Sequence, residues 1–362
     1  MRPRASRPTL KDVAREAGVS IKTVSRALNN EPRISPETRR RVLQVVEHLG
    51  FRPNILARNM RAGGRDRAVA LVIPDLANPF FASVAAGVES VIRGHDLTLV
   101  VGSSDERPDR ERLLVTAFLD RQAAAILIVP AAAGDHAYLR AERRRGMPIV
   151  FIDRPPVRLT ADCAVTENFA AAREGVAHLI AHGHRRIGFL GDLPIGLYTR
   201  RERFRGYRRA LAEGGIRFDP RLVAHGHRRQ DFAAATVALV TADRPPTAIF
   251  AANNFACMGA VTALARTGRR DIALVGFDDF DLADAFDPPI TVLAQDTMRL
   301  GVAAAEMALS RLAGDRGRAR TVRLPARLIP RGSGELPPPA GPDAADGRAT
   351  GGQFASARPR RQ

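Results

Sequence analysis

From residue 68 onward, short apolar runs alternate with stretches whose apolar residues recur every three to four positions, and this alternation narrows the fold more than any other feature. Residues 68–74 (AVALVIP), 97–102, 124–129 and 149–153 read as buried strands, with helices at 82–93, 110–121 and 137–145. A second series reads as helix 169–182, strand 187–191, helix 203–213, strand 222–225, helix 232–241, strand 248–251, helix 257–267 and strand 272–277. Strand–helix alternation demands parallel sheets covered on both faces. Two such series make an α/β core of two doubly wound parallel-sheet subdomains, with a ligand expected between the strands' carboxyl ends. At 362 residues the chain is too long for one compact core, so further units are expected.

The first 65 residues differ. They hold 15 Lys/Arg and 5 Asp/Glu, which is ten of the chain's 18 net positive charges. Charge clustered at one end is the footprint of a polyanion binder, although a solvated arm in an arginine-heavy composition gives the same arithmetic. The punctuation is more specific. Thr9 can cap a helix carrying Leu10, Val13, Ala14 and Ala17, which Gly18 ends. Ser20 caps a second helix, 21–28, with Val24, Ala27 and Leu28 inward and Ile21, Lys22, Ser25 and Arg26 outward. Ser35-Pro36-Glu37 opens a third, carrying Val42, Val45, Val46 and Leu49 up to Gly50. This is a helix-turn-helix pattern, a small all-α DNA-binding domain. Its second helix would enter the major groove, where Lys22 can donate to guanine and Ile21 can touch a thymine methyl. Thr23, Ser25 and Arg26 suit phosphate or base contacts.

The stretch from Thr9 to Asn54, with its core AREAGVSxxTVSRALN, closely resembles the N-terminal domain of LacI/GalR-family transcriptional regulators. The resemblance implies that Ile21 and Lys22 choose the operator sequence, that Thr23, Ser25, Arg26 and Asn29 mainly anchor the backbone, and that the helix-capping Thr9 and Ser20 are also DNA-binding residues. Residues 54–61 (NILARNMR) resemble the family's hinge helix, which orders in pairs on the operator. There Asn54, Ala57 and Arg58 would face DNA, and Met60 stands where a leucine usually wedges into the minor groove.

The core resembles the same family's periplasmic-binding-protein-like regulatory domain over roughly residues 68–330. The motifs are IPDLANPFF, FIDRPP, GHRRIGFL, RERFRGY, FAANN, VGFDD and TVLAQD. The resemblance implies ligand contacts from Asp75, Asn78, Phe80, Phe81, Asp153, Arg154, Arg203, Phe232, Asn253, Asp278 and Gln295. Fixed acceptors, bidentate donors, amides and a phenyl face are what a polyol requires. Bland roles compete: Asp75 and Asp278 could merely cap helices, and at least one of Phe80 and Phe81 is expected in the core. The family's Asn-Asp pair is here Asn253-Asn254, which leaves a partner at position 254 open.

The implied organisation is a DNA-binding domain at 1–53 and a hinge and linker at 54–67. One subdomain spans 68–165 and 297–320, its companion 166–296 and 321–331, and 332–362 is expected as a disordered tail. The expected partners are double-stranded, pseudo-palindromic operator DNA, a second copy of the chain as homodimer, and a small-molecule effector of the sugar class. No cofactor is expected, since no phosphate loop appears. His178, His182 and His184 lack zincin chemistry, and no metal is expected there. Cys163 and Cys257 lie far apart, which argues for a reducing, cytoplasmic setting. No apolar run reaches membrane-span length. The rival readings are a sugar-binding transport protein with a basic arm, and an α/β enzyme, for which no nucleophile or metal constellation speaks.

Overall fold

The computed structural model describes residues 8–28, 31–51 and 67–339. The chain divides into two units, 1–66 and 67–362.

In the first unit, α1 (Leu10–Glu16), α2 (Ile21–Leu28) and α3 (Pro36–His48) enclose a small core of Val13, Val24, Val42 and Phe51. The caps sit where the sequence places them. Thr9 and Asp12 form a reciprocal capping box, and Ser20 Oγ accepts from Thr23 N at 3.1 Å. Ser35 Oγ accepts from Thr38 N, with Pro36 in the first turn. Gly18 takes a left-handed φ of 62°, which lets the chain turn sharply from α1 into α2. The hinge reading of 54–61 lies outside the described residues.

The second unit contains two six-stranded sheets. The first is built from β1 (Ala68–Ile73), β2 (Thr98–Ser103), β3 (Ala125–Ile128), β4 (Ile149–Ile152), β5 (Asp162–Thr166) and β11 (Thr321–Leu324), in the order β11-β5-β4-β3-β1-β2. Helices α4 (Pro79–Ile92), α5 (Pro108–Asp120) and α6 (Arg140–Arg144) connect its strands. The second sheet follows α7 (Asn168–Ala181), in the order β12-β10-β9-β8-β6-β7. Its strands are β6 (Ile187–Asp192), β7 (Val223–Gly226), β8 (Ala248–Ala251), β9 (Ala273–Phe277), β10 (Thr291–Gln295) and β12 (Ala326–Ile329). Helices α8 (Tyr198–Glu213), α9 (Arg229–Val240) and α10 (Asn254–Thr267) alternate with them. β1, β3 and β4 are buried along nearly their whole length, as expected of strands covered on both faces.

The chain passes between the sheets three times. After β10 it enters α11 (Thr297–Leu312), which returns to pack on α4 and on β3, β4 and β5 of the first sheet. The two helices approach at Gly87 and Gly301, where a Cβ would stand 2.1 Å from a backbone carbonyl oxygen of the other helix. Any larger residue there would force them apart.

Three expectations need correction. β11 pairs in parallel with β5, so residues 321–324 belong to the first subdomain and the last crossing falls at Pro325, not after 320. Because β11 runs toward the cleft and the chain continues directly into the other sheet, β12 runs away from it. It therefore pairs antiparallel to β10, an exception to the all-parallel expectation. The tail is also ordered further than expected. Ser333 is buried and donates to Leu274 O at 2.6 Å, and Glu335 accepts from Thr291 Oγ1 and Gly332 N. Residues 340–362 lie outside the described residues.

Candidate functional site

Two surfaces carry polar chemistry. On the first unit, the hydrophobic side of α2 buries Val24 and Ala27, and its other side presents Ile21, 43% exposed, beside an exposed Lys22. An apolar side chain held in water next to a cation is what a base-reading surface needs. Thr23 and Ser20 hydroxyls are spent on each other at 2.9 Å and on the helix cap, so their part is to fix the helix end. Thr9 caps α1 in the same way. Ser25 is half-buried, and Arg26 reaches Glu31 at 3.5 Å. Asn29, Asn54, Ala57, Arg58 and Met60 lie outside the described residues.

In the second unit, both sheets point their carboxyl ends at one cavity of about 430 Å³. β1 delivers Asp75, and β4 delivers Asp153 and Arg154. From the other sheet come Asp192 at the end of β6, Asn253 after β8, Asp278 after β9 and Gln295 at the end of β10. The side chains enter where the strands stop, because beyond the last ladder pair the backbone is free to turn polar groups inward. Asn78 caps α4 and Asn253 caps α10, so both amides serve a helix end while lining the cavity.

Arg203, 4% exposed, rises from the second turn of α8. Its Nε donates to Asn168 Oδ1 at 2.7 Å and its Nη1 to Ala252 O at 2.6 Å, while the guanidinium lies 3.7 Å over the Phe277 ring. Arg154 is held by Glu106, with Nη1 and Nη2 donating at 2.9 and 2.7 Å, and by Pro130 O. Asp153 adopts a left-handed φ of 66° and sits 3.3 Å from Arg154 Nε, yet its Oδ1 is buried without a donor. Gln295 donates to Asp278, and its own Oε1 is likewise buried without a donor. Asn253 donates to Asp192.

Burial pushes the Asp153 carboxyl up against the pull of Arg154 and Arg203, with Asp278 and Glu106 adding to the rise. Burial likewise raises Asp192 to about 6, with Arg203 and Arg154 pulling the other way. For both groups the loss of solvent is the largest cause.

Ten of the eleven expected ligand residues line this cavity: Asp75, Asn78, Phe80, Phe81, Asp153, Arg154, Arg203, Asn253, Asp278 and Gln295. The bland roles hold alongside. Asp75 Oδ1 accepts from Ala77 N, Asp278 Oδ2 accepts from Asn254 N at 3.3 Å, and Phe81 also belongs to the core under α4. Phe232 does not line the cavity. It is fully buried beneath α9, seated against Gly226 and Gly259, because the helix starts at Arg229 and turns position 232 inward. Sequence reading passed over Asp105, Glu106, Asp192, Leu193, Leu197, Thr199, Asn254 and Phe255, together with His227, Arg228 and Arg229 at the start of α9. Asp192 is the last residue of β6 and Glu106 lies in the loop after β2, and a position at a strand's carboxyl end was the available signal.

Two of the three histidines instead bind the C-terminal segment. His178 bonds Glu335, His184 bonds Thr247 Oγ1 and Leu336 O, and His182 bonds His178 O. No group of three or more metal-ligating side chains occurs among the described residues, and no described helix is long and apolar enough to cross a membrane. Cys163 and Cys257 are buried and unbridged, and burial pushes the Cys163 thiol up to about 12.

Residues 9–54 match the family described as bacterial regulatory proteins, lacI family, and residues 176–334 match the periplasmic binding protein-like domain. The HTH-type transcriptional repressor CytR of Escherichia coli K12 is 30% identical over 332 residues, covering 90% of this chain and 96% of the repressor. The HTH-type transcriptional regulator PtxS of Pseudomonas putida is 33% identical with the same coverage. Among solved structures, the lac repressor dimer bound to operator and the anti-inducer ONPF superposes with a TM-score of 0.78 at 25% identity, covering 91% of this chain and all of that one. The CelR–cellobiose complex gives 0.67 at 28%, covering 90% and 100%.

Proposed function

The chain belongs to the lacI family of bacterial regulatory proteins, and on that premise we propose a repressor that grips a pseudo-palindromic operator as a homodimer, under the control of a sugar-class effector in the interdomain cleft. It regulates transcription and is not an enzyme, as its relatives' names agree. One observation carries the reading: a single chain holds both an exposed Ile21-Lys22 recognition edge and a polar cavity fed by ten expected ligand side chains. A transport protein would need only the second.

In this reading Lys22 and Ile21 read bases, while Thr9, Ser20, Thr23, Ser25, Arg26 and Asn29 set the helix on the backbone. Asn54, Ala57, Arg58 and Met60 would meet the minor groove between two half-sites. Effector held by Asp75, Asp153, Arg154, Arg203, Asn253, Asp278 and Gln295 favours one placement of the subdomains over another. A preference of about 1–3 kcal/mol between placements is enough to switch operator occupancy. CelR was solved as a complex with cellobiose, a precedent for a sugar-class effector.

The test is fluorescence anisotropy of labelled candidate operators with purified full-length protein, with and without a panel of sugars. Sequence-selective binding that a sugar shifts is expected. Equal affinity for every duplex at physiological salt would overturn the reading.

A further inference from the structure

We infer that the effector is a cationic polyol, a small sugar-like molecule carrying a protonated amine that docks against Asp153 at the cavity floor. This rests on the reading of the cleft as the effector site and narrows the ligand it takes.

The argument begins with a charge count. Asp75, spent on the Ala77 backbone amide, and the exposed Asp105 aside, Glu106, Asp153, Asp192 and Asp278 bring four carboxylates to the cavity; Arg154 and Arg203 are the buried cations lining it with them, and the buried Arg200 lies near enough to feel Asp192. Arg154 is engaged mainly by Glu106, through both terminal nitrogens. Arg203 spends Nε and Nη1 on neutral oxygens, those of Asn168 and Ala252, so no carboxylate takes those donors. Asp278 receives amide donors from Gln295 and from the Asn254 backbone, and Asp192 an amide from Asn253. Amides satisfy lone pairs but carry no charge. Even with Arg200 counted, four carboxylates face three cations, and one negative charge is left uncompensated in a partly desolvated pocket, a costly arrangement unless a cation arrives.

The hydrogen-bond count agrees. Asp153 Oδ1 and Gln295 Oε1 are buried acceptors with no donor, and both residues line the cavity. Asp153 is 4% exposed, so its charge is largely withdrawn from bulk solvent. A neutral hydroxyl could fill one acceptor without answering the charge. An ammonium offers three donors and a full positive charge. A metal ion is the other route to neutrality, but no set of three ligating side chains converges among the described residues. His227, Arg228 and Arg229 stand at the mouth, exposed to solvent and screened, so they leave the floor acidic. A sugar phosphate or sugar acid would bring a further negative charge to that floor.

Calorimetric titration of the full-length protein at pH 7.5 with matched triplets tests this. Each triplet is a neutral hexose, its 2-amino-2-deoxy form and its 6-phosphate, in the glucose, galactose and mannose series. In at least one series the amine should bind tenfold or more tighter than its neutral parent, with the phosphate weakest. In Asp153→Asn that advantage should fall below threefold. A neutral or phosphorylated sugar that equals or beats its amine and shifts operator affinity would overturn the inference while leaving the effector reading intact. If no member of any charge binds, both fall. A ligand-independent arm uses melting temperature. Asp153→Asn should raise the Tm of the free protein at pH 7.5 by roughly 2–4 °C, because it removes an uncompensated charge. A lowered Tm would mean the carboxylate is already satisfied, and would overturn the inference by itself.

Discussion

Asn254 Nδ2 donates to Asn78 Oδ1 at 2.8 Å, joining the first residue of α10 to the cap of α4 across the cleft. Among the described residues it is the one side-chain hydrogen bond that spans the cleft away from the crossing segments. The same Asn78 oxygen also accepts from Phe80 N at 3.0 Å, so the bond ties the second sheet to a helix cap of the first. An aspartate at 254 would present only acceptors to Asn78 Oδ1, with the Asp278 carboxylate close by.

Asn254→Asp should therefore open the cleft, and more than Asn254→Ala, which merely deletes the donor. The alanine variant should cost about 1 kcal/mol of closure and the aspartate more. Small-angle scattering of the ligand-free protein reads this as a larger radius of gyration for the aspartate variant. Identical scattering curves for all three proteins would show that this bond has no hold on closure.

Much of this was legible in advance, and the misses have physical causes. Apolar periodicity located the helices but began them late: α4 at 82 instead of Pro79, α8 at 203 instead of Tyr198, α10 at 257 instead of Asn254. The first turn of α8 is mostly polar, and those of α4 and α10 open on Pro79 and Asn254, residues that apolar periodicity assigns to the preceding loop. Phe232 was placed in the cavity by the family resemblance, and Asn254 was left open because it departs from the family's Asn-Asp pair. β5 was missed because its apolar run is only Cys163-Ala164-Val165 between Asp162 and Thr166, and β11 and β12 because they are exposed edges. Residues 321–329 are only half-buried, and without a continuous apolar run an edge strand resembles a loop. Strand-end residues were found through the family resemblance, because their pairing is a tertiary fact.

Arg203 ties α8 to α7 and to the end of β8, so its loss should be felt in folding as well as in binding. Arg203→Ala strands Asn168 Oδ1 and Ala252 O in a buried site, with an expected cost of about 3 kcal/mol. Arg203→Lys retains charge but not the fork, and should recover stability only in part. Urea denaturation of the three proteins decides the order. If lysine restores full stability, the forked geometry has no structural part.

Asp192 makes stability depend on pH. Its folded value of about 6 lies above the ordinary 3.8, since burial raises it and Glu106 and Asp278 add to the rise, against Arg203 and Arg154. Arg200 is also near enough to feel its charge. The folded protein thus binds this proton more tightly than the unfolded chain does. The group's contribution to stability falls as pH rises from about 4 to about 6, then stays level. Asp192→Asn should raise Tm relative to the native protein, with the gain growing between pH 4.5 and 6.5 and constant above. A gain that shrinks with rising pH would reverse the assignment.

On the operator, Lys22 and Arg26 should behave differently. Lys22 is exposed beside Ile21, whereas Arg26 is partly held by Glu31 at 3.5 Å. Lys22→Ala is expected to lose about 1–3 kcal/mol against the preferred base pair and little against scrambled DNA. Arg26→Ala should weaken both alike and flatten the salt dependence. Equal losses on both duplexes for Lys22→Ala would remove it from base reading.

The segment after β12 is a structural strap. Glu335 accepts from Thr291 Oγ1 at 2.8 Å and from Gly332 N, bonds His178 on α7, and is followed by Leu336, whose carbonyl bonds His184. Gly334 lies so close to Val275 and Thr291 that a Cβ would meet them at about 3 Å. These contacts cover the end of the second sheet where β9 and β10 meet. Glu335→Ala leaves the buried Thr291 hydroxyl and the His178 ring without their partner, a loss of about 2 kcal/mol. That corresponds to a Tm fall of roughly 4–8 °C for a domain of this size. Truncation after Arg331 should cost more, because it also removes the Ser333 bond to Leu274 O and uncovers Val275. A truncated protein that melts with the full chain would return these residues to the role of a passive tail.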